Sequence, residues 1–116
     1  MMFEIPSDQE LEEVSYSIGG AIENGEEYIR TLTWSVTPGS GEITYDMLGR
    51  SVHVLFFDSE RRKFVDIVRE GAFRLVFVRG PANCEAVVEF DAESLAGTMR
   101  IQLTPHLAIH DSMLLS

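Results

Sequence analysis

Between Tyr28 and Thr104 the chain repeatedly alternates apolar and polar residues, the period-two pattern of strands that bury one face. Few other features constrain a fold as tightly, because a helix needs its apolar residues three and four apart. Leu32, Trp34 and Val36 fall on one side of the first such run, with Thr31, Thr33, Ser35 and Thr37 on the other. Pro38-Gly39-Ser40-Gly41 then reads as a turn, since Pro fixes φ and Gly accepts positive φ. Ile43, Tyr45 and Met47 resume the alternation, and Gly49-Arg50 turns the chain again.

Within Ser51–Asp58, the run from Val52 to Phe57 is apolar on both faces apart from His53, which predicts a central strand covered on both sides. Phe64–Val68 and Phe73–Val78 flank Glu70-Gly71 as if in a tight hairpin. The first of these also fits a short helix, with Asp58 as N-cap and Gly71 just past the end, but its β-branched Val65, Ile67 and Val68 favour strand. Gly80-Pro81-Ala82-Asn83 turns into Ala86–Phe90. The last strand is expected at Gly97–Thr104, with Met99, Ile101 and Leu103 inward and Pro105 ending it.

Two patterns compete ahead of this region. Ser7-Asp8-Gln9-Glu10 matches a capping box, and Leu11, Val14, Ile18, Ala21 and Ile22 share one helical face. Gly19-Gly20 opposes a long helix, at about 1 kcal/mol each relative to Ala. Val14, Tyr16 and Ile18 also alternate with Ser15 and Ser17, and Asn24-Gly25 is a type I′ hairpin signal. The expectation is a helical turn over about residues 7–13, then strands.

The predicted fold is therefore mainly β: an antiparallel meander of about six to eight strands, rolled or sandwich-like, with a short N-terminal helical turn. The alternative is an α+β arrangement with an N-terminal helix packed on one face of an antiparallel sheet. The 116 residues are expected to form one domain, residues 1–116, with enough chain for a single core.

Charge carries the functional signal. The first 29 residues hold Glu4, Asp8, Glu10, Glu12, Glu13, Glu23, Glu26 and Glu27 and no Lys or Arg, whereas acids and bases nearly balance from Arg30 onward. A formal net charge of −10 disfavours nucleic acid and anionic membrane and attracts cationic proteins. No run reaches the roughly 18 apolar residues of a membrane span. The single Cys84 cannot form an internal disulfide, and the N-terminus does not read as a secretory leader, so a cytoplasmic location is expected.

Candidate chemistry is sparse. His106 and His110, with Asp111, have the spacing of two ligands on a helix, but Pro105 and the lack of an evident third ligand argue against a metal, and none is expected. His53 beside Asp66 has the composition of a general base, yet a lone His in an apolar strand is more often structural. Cys84 lies beside Glu85, which raises a thiol pKa, and Arg61-Arg62-Lys63 sits among acids. No catalytic residues, enzyme activity or cofactor are expected.

A charge run is commonly only a solvated face. Here its segregation, and the interleaved Tyr16 and Tyr28, favour a binding surface for a basic protein partner made of Glu10, Glu12, Glu13, Tyr16, Glu23, Glu26, Glu27 and Tyr28. By analogy of class, the expected function is a small inhibitor that covers a basic partner, as an immunity protein covers a toxin. Two alternatives stand beside it. One is an assembly protein, monomer or homodimer, using an edge strand or the apolar Met113-Leu114-Leu115; docking of those residues in cis is the preferred reading. The other is a small-ligand-binding β domain with a pocket lined by Trp34, Phe56, Phe73 and Phe77.

Overall fold

The computed structural model describes residues 2–92 and 95–115. Among them one helix precedes nine strands: α1 (Asp8–Ser17), β1 (Ala21–Asn24), β2 (Ile29–Val36), β3 (Gly39–Asp46), β4 (Ser51–Phe57), β5 (Lys63–Glu70), β6 (Ala72–Arg79), β7 (Cys84–Ala92), β8 (Leu95–Thr104) and β9 (Ala108–Leu115). They form two antiparallel sheets in chain order, β1-β2-β3-β4-β5 and β6-β7-β8-β9. The mainly β meander read from alternation is the fold. No helix among the described residues is long and apolar enough to cross a membrane.

The sheets share one core. Leu32 and Trp34 of β2, Ile43 and Tyr45 of β3, and Val52, Val54 and Phe56 of β4 meet Leu75, Val88, Phe90, Met99, Ile101 and Leu103 of the second sheet. The Trp34 indole N–H donates to the Leu103 carbonyl oxygen at 2.9 Å, a polar tie across the two layers. Arg69 of β5 and Asp111 of β9 form an ion pair that links the two sheets. Ahead of α1, the Glu4 N–H donates to Phe73 O and the Leu75 N–H to Glu4 O, so the segment around Glu4 lies parallel to β6 and covers part of its edge.

Several local expectations are corrected. Phe64–Val68 lies in a strand, but Glu70-Gly71 is not a hairpin: β5 and β6 edge different sheets. Gly71, buried at φ +82°, turns the corner between them, held by Ala72 N–H to Arg50 O and Asp91 N–H to Gly71 O. Gly39-Ser40-Gly41 belongs to β3 rather than to the preceding turn. A Cβ on Gly41 would run into the Trp34 ring, so close packing rather than turning is what Gly provides there. β4 is covered on one face only, since His53, Leu55 and Phe57 stay half-buried while Val52, Val54 and Phe56 are enclosed. The chain also continues past Pro105 into β9, which pairs with β8. Of Met113-Leu114-Leu115 the structure gives strand backbone; the choice between docking and subunit contact lies outside the described side chains.

The N-terminal ambiguity resolves toward helix. Ser7 caps α1 by accepting the Glu10 N–H at 3.1 Å, and the helix runs past Glu13 to Ser17 before Gly19 (φ +66°) ends it. Val14 and Ile18 are buried and Tyr16 exposed, as the helical period requires, so the strand reading of Val14, Tyr16 and Ile18 fails. Asn24-Gly25 is not a two-residue turn either. Gly25–Tyr28 forms a longer loop, with Asn24 paired to Arg30.

Candidate protein-binding surface

The helix period decides which carboxylates face solvent. Leu11, Val14, Ser15 and Ile18 turn inward, leaving Asp8, Gln9, Glu10, Glu12, Glu13 and Tyr16 on the outer side. Asp8 and Glu10 lie in the first turn, where the helix dipole favours negative charge. Tyr16 is 91% exposed, so nearly all of its ring is open to contact.

Helix α1 packs on β1 and β2. Between them runs a cleft of about 250 Å³ lined by Asp8, Leu11, Glu12, Ile22, Asn24 and Arg30. An open depression of about 500 Å³ on the other side of Glu12 is lined by Gln9, Glu13, Tyr16, Ser17 and Arg79 as well. Glu23 stands in β1 opposite Thr31, and Glu26, Glu27 and Tyr28 lie in the following loop. All eight sequence-predicted residues are exposed. They form two groups: Glu10, Glu12, Glu13 and Tyr16 on the helix, and Glu23, Glu26, Glu27 and Tyr28 on β1 and its loop. Glu12 lines the cleft between helix and sheet.

Arginines neutralise little of this charge. Glu13 faces Arg79 at 3.4 Å and Glu4 faces Arg74 at 4.0 Å, both exposed pairs of small energetic weight. Asp8, Glu10, Glu12, Glu23, Glu26 and Glu27 have no ion-pair partner among the described residues. Arg30 enters the acidic region but spends its guanidinium on main-chain carbonyls, with Nη1 donating to Glu27 O and Ile29 O at 3.1 Å each. Beneath the surface, burial pushes the Tyr45 phenol up to about 12, with smaller opposing influences from Arg30 and Asp8.

The other candidates stand elsewhere in the fold. His106 sits in the bend between β8 and β9, while His110 lies within β9 opposite Arg100, so the helical spacing that suggested a metal is not realised. Asp111 is engaged by Arg69. Among the described residues no three His, Cys, Asp or Glu side chains gather in a metal-like group. His53 Nε2 does meet Asp66 Oδ1, at 2.7 Å, on the exposed face of the first sheet. The His53 hydrogen bond, then that of Lys63, holds the Asp66 carboxyl below its ordinary value. Cys84 is buried, and burial pushes its thiol up, away from the thiolate a nucleophile needs. Arg62 pairs with Asp58 and Glu60, and Lys63 with Asp66. Trp34 and Phe56 are core residues in edge-to-face contact, 6.5 Å between ring centres.

Sequence reasoning overlooked Leu48. It projects from the β3–β4 turn at 73% exposure, next to the loop that carries Tyr28. Its neighbours Asp46 and Gly49 mark a turn, and a large apolar residue at a turn tip was the available signal.

No protein-family model matches the chain, and no curated protein resembles it significantly in sequence. Among solved structures it is similar to a chain of a contact-dependent growth inhibition toxin–immunity protein complex from Klebsiella pneumoniae 342. That match has a TM-score of 0.80 at 11% identity and covers 98% of this chain and 100% of that one. At so low an identity the likeness is one of fold, spanning both sheets and the helix.

Proposed function

We propose that this protein is an immunity protein, which binds a basic toxin domain and covers the surface through which that toxin acts. The observation that carries the reading is the exposed block of carboxylates, six of them without an ion-pair partner among the described residues, on a fold similar to a chain from a toxin–immunity complex. Of the two components in such a complex, the acidic balance favours the inhibitor. A toxin that attacks nucleic acid carries cationic surface to hold phosphates, and an acidic cover competes for that surface.

In this reading Glu10, Glu12, Glu13, Tyr16, Glu23, Glu26, Glu27 and Tyr28 form the docking face. The carboxylates accelerate encounter by steering, while the tyrosines supply contact area once water is excluded. The protein acts by occlusion and uses no cofactor. Its site of action is the cytoplasm of the cell that makes it.

The test begins with the genes on either side of this one. If one encodes a large exported protein with a basic C-terminal domain, that domain is the probe. If none does, the probe is the basic protein recovered with this chain at low ionic strength from the cell that makes it. Expressed alone in a host, the probe should arrest growth; expressed with this chain, it should not, and the two should co-purify. Arrest that persists despite matched expression, with no complex recovered, removes the proposal.

A further inference from the structure

We infer that the anchor of the docking face is the tip built by the β1–β2 loop and the β3–β4 turn, with Tyr28 and Leu48 entering an apolar pocket of the basic partner. This rests on the immunity reading above and goes beyond it by placing the centre of the contact and adding Leu48.

Strand register brings the tip together. Ile29 pairs with Asp46, so the loop before β2 and the turn after β3 emerge at the same end of the first sheet. The Met47 N–H donates to Tyr28 O at 2.8 Å and joins them directly. Each half is also held internally. Asp46 Oδ1 accepts the N–H groups of Leu48 and Gly49 at 3.0 Å, while Gly25 N–H to Ile29 O and Ile29 N–H to Glu26 O close the loop. Arg30 binds the Glu27 carbonyl from below. Two apolar bodies, Tyr28 at 44% and Leu48 at 73% exposure, are thus presented on main chain fixed before binding.

One exposed Leu on a surface means little. Side chains carried on main chain that is already formed cost less ordering on association than those of a mobile loop, and aromatic anchors inside a polar rim dominate binding energies. The rim here is Glu26 and Glu27, neither paired with a cation among the described residues; Arg50 lies at the base of the turn. The complementary surface is an apolar pocket bordered by Lys or Arg.

The toxin domain named above is the probe. Tyr28→Ala and Leu48→Ala should each weaken binding by about tenfold, chiefly through faster dissociation. Phe64→Ala, at an exposed apolar site at the end of β5 opposite the tip, should change it by less than about twofold. Both tip residues are exposed, and matching thermal melts would verify that the variants fold. If the wild type binds while both tip variants bind equally well, the anchor is overturned and the immunity reading stands. A wild type that does not bind overturns both.

Discussion

Single side chains hold the two sheets in register. Trp34 links them through its bond to the Leu103 carbonyl, so Trp34→Phe keeps most of the apolar volume but strands that buried acceptor. We expect a loss of about 1–3 kcal/mol in denaturant unfolding, with little change in the slope. Cys84 offers a second check. Buried and with its thiol pushed up, it should resist a thiol reagent at neutral pH in the native state and react once denaturant unfolds the chain. Asp66 gives a pH test. Its carboxyl is held below the ordinary value of 3.8, so the stabilisation is present above that pH and disappears as pH falls through the lower folded value. His53→Ala should move the Asp66 midpoint, followed by carboxyl NMR, up toward the ordinary value, with Lys63 retaining part of the shift.

Elements were legible in proportion to how local their causes are. Alternation located β2, β3 and β8 because each buries one face, and Ser7 announced α1 because a cap needs only its own turn. Partner choice was not local. Gly71 permits positive φ whether the chain makes a hairpin or a corner between sheets, and only the packing of both sheets selects the corner. The run around His53 was over-read for a related reason: Leu55 and Phe57 are apolar but lie on the outer face of the first sheet. Strand β9 escaped notice because Pro105 ends β8, and two polar residues after it resembled a ligand pair more than a strand. Replacing Gly71 by Ala forces a β-carbon into the left-handed region and should destabilise the protein by about 1–2 kcal/mol, measured by thermal or denaturant unfolding. Ser7→Ala should lower stability by about 1 kcal/mol, by removing the acceptor for the Glu10 N–H.

Across the whole molecule, the acidic segment of the sequence becomes two exposed groups, one on the helix and one on β1 and its loop. Glu12 lines the cleft between helix and sheet, whereas Glu23 projects from the face of β1 opposite Ile22 and Asn24. The charge was plain in the sequence. Its division between helix and loop, and the hydrogen-bonded tip bearing Leu48, came only from the folded arrangement of α1 and the strand register. Steering by such a field acts on encounter, so its kinetic signature is separable from contact energy. The decisive measurement is the association rate with the toxin domain proposed as partner, followed from low to high salt, for the wild type and a variant with Glu10, Glu12, Glu13, Glu23, Glu26 and Glu27 changed to Gln. The account predicts a fast wild-type rate that falls steeply with added salt, and a slower, nearly salt-independent rate for the variant. Equal rates for the two proteins at every ionic strength would contradict it.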